Sequence, residues 1–169
     1  IMSRLNISVK SIKNNRIYTQ CQIRDFLEET EKWYSVEGVI DTGANTCCIS
    51  ESFAKKINVC ILGTSPVGYI LEHIDMEYCF MDLRIGNITF DSIKTFIFPN
   101  PCFDSDFIIG MDILGQGAFT FKKVKDEYEF NYRISQGALL DMNIRNKVLL
   151  NNRIKNINCL LYTSDAADD

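Results

Sequence analysis

Apolar and polar residues alternate along most of the chain up to Ile134, and that alternation sorts it into short strands. Leu5, Ile7 and Val9 alternate with polar residues, as a half-buried strand requires. Asn14-Asn15 reads as a turn. Ile17, Thr19, Cys21 and Ile23 then alternate with Tyr18, Gln20, Gln22 and Arg24, which predicts a second strand. The acidic stretch Asp25–Lys32 reads as a hairpin loop, and Trp33–Ile40 as the returning strand. Thr46–Ile49 predicts a short strand. After it Ser50 caps a short helix in which Phe53, Ala54 and Ile57 share a face.

Further on, Val59–Leu62 and Tyr69–Leu83 are strand-like, separated by the turn-rich run Gly63-Thr64-Ser65-Pro66-Val67-Gly68. Gly86-Asn87 marks a turn between Met81–Ile85 and Ile88–Phe98, and Pro99-Asn100-Pro101 breaks the second strand. The phenylalanines of that strand read as core. Phe119–Val124 and Tyr128–Ile134 predict a last hairpin around Lys125-Asp126-Glu127. From Gln136 the alternation stops. The apolar positions of Ala138–Ile157 half-fit a helix, which the asparagines weaken; a helical appendage, a linker and the start of a further domain all fit. The last eleven residues, from Cys159, resemble a translated transposase-type sequencing adaptor and are set aside as a non-native tail. The expected division is 1–136, 137–158 and 159–169.

Two stretches stand out from this pattern. In Val39-Ile40-Asp41-Thr42-Gly43-Ala44-Asn45 a β-branched pair runs straight into an acid, a hydroxyl and a glycine. That predicts a buried strand holding one carboxylate at its tip. Gly43 permits a tight loop and close approach of a substrate backbone. In Asp106-Phe107-Ile108-Ile109-Gly110-Met111-Asp112 a second buried strand ends on glycine, and Asp112 is placed to cap the helical turn after it. Asp104 and Asp106 lack a full oxygen-ligand set for a cation and read as solvated loop acids.

The two stretches together resemble the retropepsin-like aspartic proteases: hydrophobic-Asp-Thr-Gly-Ala, then roughly seventy residues later Ile-Ile-Gly and a short helix. The likeness runs from about Arg16 to Ile134. It implies an all-β fold, small and closed like a β-barrel, with one or two short helices and active as a homodimer. It implies that Asp41 is catalytic, that Thr42 hydrogen-bonds across the dimer below the acids, and that Gly43 donates its N–H toward them. Ala44, Ile108, Ile109 and Gly110 would contact substrate. So would a mobile hairpin, the flap, for which the run from Gly63 to Gly68 supplies the tip, with Gly63, Thr64, Val67 and Gly68 on the substrate. Since only one Asp-Thr-Gly is present, a second copy of the chain must bring the second carboxylate.

Composition narrows the alternatives. At 169 residues the chain is long enough for one domain with a proper core. Its 46% hydrophobic and 24% charged content is that of a globular protein rather than a disordered one. A net charge of −4 with mixed sign offers nucleic acid no basic footprint, and no apolar run approaches a membrane span. Ile1–Lys13 alternates where a secretory signal would be continuously apolar, so a cytoplasmic, reducing location is expected. The seven cysteines are odd in number and irregularly spaced, and His73 is the single histidine. No metal site and no cofactor are therefore expected. His73 reads as an exposed strand residue. Cys47-Cys48 reads as core packing in preference to a redox-sensitive thiol. Two other functions remain: a non-catalytic protein-binding or dimerisation module on the same fold, and the protease unit of a retroelement-like polyprotein.

Overall fold

A computed structural model of the chain describes residues 5–9, 12–13, 15–28, 30–69, 72–99 and 104–165. The strands are β1 (Leu5–Val9), β2 (Ile12–Lys13), β3 (Arg16–Asp25), β4 (Tyr34–Ile40), β5 (Cys48–Ser50), β6 (Gly63–Tyr69), β7 (Glu72–Ile85), β8 (Ile88–Phe98), β9 (Phe107–Ile109), β10 (Ala118–Val124) and β11 (Glu127–Ile134). Two short helices, α1 (Glu51–Lys56) and α2 (Met111–Leu114), lie between strands, and a long one, α3 (Gln136–Asp165), follows β11. β1, β11 and β10 form a three-stranded sheet. The other strands form a sheet in the order β2-β3-β4-β9-β5-β8-β7-β6, and a further pairing of β3 with β7 closes it into a ring.

The elements follow the local chemistry. Gly86 takes φ 57° in the β7–β8 turn, a backbone that glycine adopts without penalty. Ser50 accepts the Phe53 N–H at 3.2 Å and caps α1. Asn58 at φ 56° ends α1, as asparagine does well in the left-handed region. The predicted core face of β3 holds: Cys21 and Ile23 are buried in the main cluster with Ile49, Phe90, Phe107 and Ile109.

Four local expectations are corrected. The run from Gly63 to Gly68 is not a turn. It is most of β6, paired residue for residue with β7 from Gly63↔Tyr78 to Tyr69↔Glu72. The expected flap tip therefore does not lie in this run, and residues 70–71 between the two strands are outside the described residues. Val59–Leu62 carries no strand. Asp112 does not cap α2; the cap position is Gly110, with no side-chain bond. Asp106 is more than a solvated acid, because Ser50 donates its Oγ to the carboxylate at 2.7 Å and its backbone N–H to the carbonyl at 2.8 Å.

Of the three readings of the C-terminal stretch, the helix is what forms, and it docks on β8. Asn143 accepts the Asp91 N–H at 2.9 Å and donates to the Thr89 carbonyl, while Asn146 donates to the Asp91 carbonyl. Met142 enters the main core, and Leu150 enters a second apolar cluster. That second cluster covers the other face of the closed sheet. One register row crosses it from β3 to β7: Tyr18↔Val39↔Ile108↔Cys48↔Phe96↔Tyr78. Side chains in register on neighbouring strands share a face, so these six residues form one continuous row, buried except for the half-buried Cys48.

Candidate active site

β4 and β9 lie side by side in parallel, with Val39 opposite Ile108 and Ile40 opposite Ile109. The pairing continues one step past β4: the Asp41 N–H donates to the Ile109 carbonyl at 3.0 Å. The backbone of Asp41 is thereby fixed to a buried strand, and strand alternation carries its side chain to the face of Val39. The chain then turns sharply. Gly43 donates its N–H to Asp41 Oδ1 at 2.8 Å, and Ala44 donates its N–H to the Asp41 carbonyl at 3.3 Å. A Cβ on Gly43 would stand 3.1 Å from Oδ1. Glycine thus lets the backbone close against the carboxylate. Asp41 is half-buried, while Thr42 and Gly43 are exposed.

The loop is braced from below by α2. Met111 donates its N–H to the Ala44 carbonyl at 2.8 Å, and Asp112 donates its own to the Asn45 carbonyl at 3.1 Å. In return the Asp112 carboxylate accepts the Cys47 N–H at 3.0 Å and the Cys47 thiol at 3.3 Å. Burial raises the pKa of the Asp112 carboxyl and raises that of the Cys47 thiol well above the ordinary value. A thiol so protonated is a poor nucleophile, and Cys47 packs in the core. Gly110 lies under the loop, where a Cβ would meet the Thr46 carbonyl oxygen at 2.6 Å and that of Ala44 at 2.9 Å.

The site residues expected from sequence separate into groups. Asp41, Thr42, Gly43 and Ala44 form one loop. Ile108 lies on the Asp41 side of the sheet, in the cluster that Ala44 packs against. Ile109 and Gly110 do not face that way: Ile109 is buried in the opposite core, and Gly110 is enclosed beneath the loop. Both serve the loop's position: the Ile109 carbonyl accepts the Asp41 N–H, and Gly110 makes room for the Ala44 and Thr46 carbonyls. Gly63, Thr64, Val67 and Gly68 lie along β6. Of these, Val67 packs with Ile74 against the cluster shared by Val39 and Ile108. Gly63 instead sits at the hairpin's root, where Arg153 and Tyr78 fill the space around it. Asp112 as a brace, and Arg153 at the hairpin root, were missed. An acid two residues after Gly110 was a signal for the first; nothing in the sequence points to the second. Among the described residues no group of three or more His, Cys, Asp or Glu is placed to hold a metal ion. Nor, among them, is any helix long and apolar enough to cross a membrane.

A strand-tip Asp-Thr-Gly loop on a closed sheet, braced by a glycine and a short helix, is the retropepsin-like architecture. The crystal structure of a retropepsin-like aspartic protease from Rickettsia conorii superposes with a TM-score of 0.54 at 17% identity, over 79% of this chain and 96% of that one. A second similar structure is EIAV protease complexed with the inhibitor HBY-793, at a TM-score of 0.48 and 16% identity, over 63% of this chain and 92% of that one. No curated protein matches by sequence. Residues 33–116 match the family described as "gag-polyprotein putative aspartyl protease". The whole Asp41 loop lies inside the stretch that matches this aspartyl protease family, and the fold around it is retropepsin-like.

Proposed function

We propose that the chain is one half of an aspartic endopeptidase. Its homodimer would hydrolyse peptide bonds through a water activated by two Asp41 carboxylates, one from each subunit. The observation that carries this reading is the half-buried Asp41 carboxylate, held by the Gly43 N–H at 2.8 Å on a loop whose next two residues are exposed. A two-fold axis through that loop would set identical carboxylates face to face. Two carboxylates so close share one proton, since both cannot easily ionise. The ionised one takes a proton from water as its oxygen attacks the carbonyl carbon. The protonated one gives its proton to the carbonyl oxygen. Collapse of the resulting diol breaks the C–N bond: the leaving nitrogen takes the proton of the pair, and a diol hydroxyl gives its proton back to the pair as the carbonyl re-forms. Thr42, exposed beside the acid, would hydrogen-bond across the axis.

The test is incubation of the purified chain with a peptide library, read by mass spectrometry. Internal peptide bonds should be cut. A peptide carrying a hydroxyl in place of the scissile carbonyl should block cutting, as a mimic of the tetrahedral intermediate. Chelators and thiol blockers should leave the rate unchanged. Cleavage abolished by a chelator or a thiol blocker would refute the assignment.

A further inference from the structure

Val39 and Phe96 stand at the two ends of the register row Val39↔Ile108↔Cys48↔Phe96. β9 runs parallel to β4, β5 antiparallel to β9, and β8 parallel to β5. Two residues toward the same end of the sheet lead from Val39 to Asp41 and from Phe96 to Lys94. Two steps along a strand return to the same face, so Lys94 stands on the face of Asp41. The two are three strand intervals apart, roughly 14 Å at the usual strand spacing. The contacts of Lys94 agree with that placement: Nζ lies 4.1 Å from the centre of the Tyr78 ring and 5.3 Å from that of Phe96. A second cation reaches the Tyr78 ring from α3. The Arg153 guanidinium lies 6.0 Å from the ring centre, and its Nε donates to the Leu62 carbonyl at 2.6 Å. Gly63 leaves room for it, since a Cβ there would stand 2.7 Å from the guanidinium.

Two like charges over one ring repel, and the ring face answers only part of that cost. Lys94 donates to Ser65 Oγ at 3.4 Å. Among the described residues neither cation has a carboxylate within ion-pair distance. Asp75 and Glu77 of β7 alternate with Tyr78 to the other face of the hairpin and are exposed there. Burial and the neighbouring Arg153 both push the Lys94 ammonium below its ordinary pKa, where a facing carboxylate would raise it. Both cations are half-buried, so both keep surface in water. We propose that Lys94 and Arg153 form a subsite for the carboxylate of an acidic side chain, so that the chain selects peptides with Asp or Glu at one position away from the scissile bond. This rests on the reading of the chain as a peptidase. The carboxylate would accept charge-assisted hydrogen bonds from the ammonium and the guanidinium. A lysine or arginine side chain at that position would be repelled by the same pair.

The experiment measures kcat/KM for a cleavable library sequence with both ends capped and no other acid. Glu, Gln and Lys are placed in turn at each position on either side of the cut, so the side chain tested is the only carboxylate. At one position the native chain should cleave the Glu peptide at least about fivefold better than the Gln peptide; water around the pair limits the gain. Lys there should be the poorest of the three, and added salt should shrink the preference. In Lys94→Gln, and separately in Arg153→Gln, the Glu-to-Gln ratio should fall toward one. Lys94→Arg, which keeps the charge, should hold it. A ratio taken within one protein cancels any loss of folded chain. Equal Glu and Gln values at every position in the native chain, or a preference that outlives both losses of charge, would overturn the subsite and leave the protease reading standing. No cleavage of any peptide would overturn the protease reading, and the subsite with it.

Discussion

Asp41→Asn should abolish peptide cleavage, lowering kcat/KM by at least about a thousandfold, while the fold survives. General acid–base groups contribute on the order of 10²–10⁴, and here one substitution removes both members of the pair. Asparagine keeps a carbonyl oxygen where Asp41 Oδ1 accepts the Gly43 N–H at 2.8 Å. The loop's backbone bonds, from Asp41 N–H to the Ile109 carbonyl and from Ala44 N–H to the Asp41 carbonyl, do not involve the side chain. Stability should therefore stay within about 0.5 kcal/mol of the native chain, as for a substitution that disturbs no packing. Kinetics with a library-derived peptide and urea unfolding, measured side by side, check both halves. A variant that unfolds with the native midpoint and still cleaves would remove Asp41 from the mechanism. A non-catalytic binding module would instead show no cleavage in either protein.

Gly110→Ala should damage stability and catalysis together. The added methyl would stand 2.6 Å from the Thr46 oxygen and 2.9 Å from the Ala44 oxygen. Both are backbone atoms with no rotamer to escape into, and the Ala44 oxygen is already bonded to the Met111 N–H at 2.8 Å. Overpacking of this kind costs about 2–3 kcal/mol. Its relief must shift the loop that carries Asp41, and a misplacement of about 1 Å costs roughly a hundredfold in rate. Gly137→Ala is the control. That glycine lies in the first turn of α3 with open space around its Cβ position, so alanine should stabilise by about 0.5–1 kcal/mol. Urea midpoints and kcat/KM for both variants decide it. A Gly110→Ala chain as stable and active as the control would show that α2 does not brace the loop.

Which parts of this arrangement were legible in the sequence follows from what each residue does. β3, β4, β7, β8 and β11 send apolar residues into the two core clusters and are bounded by turn residues, which marked them; β10, exposed along its whole length, was legible as the other arm of the last hairpin. The Asp41 loop was legible because Asp-Thr-Gly, which alone could be a strand end with an Asx turn, is followed roughly seventy residues later by Ile-Ile-Gly and a short helix. β6 was not: Gly63, Ser65, Pro66 and Gly68 are poor strand formers, and they read as a turn. Position in the sheet explains their tolerance. β6 is the last strand in the order and, among the described residues, pairs with β7 alone, and an edge strand accepts a proline because one side needs no ladder hydrogen bonds. α3 was half-legible for a related reason. Its asparagines lower helix propensity, yet Asn143 and Asn146 bond backbone groups of Thr89 and Asp91, just before Ser92 bends β8 at φ 51°. Its outward Leu140, Ile144 and Val148 are exposed, which blurs the apolar stripe. Ile109 and Ile108 look alike in sequence, and only the register shows which faces Asp41 and which faces the core.

The sharpest test of the half-site claim is specific activity against protein concentration, with sedimentation mass measured on the same samples. One chain encodes one Asp-Thr-Gly, so a lone subunit should be inert. Activity per chain should vanish on dilution and rise in step with the fraction at twice the single-chain mass of 19.4 kDa. Constant activity per chain under conditions where only the 19.4 kDa species sediments would contradict the account.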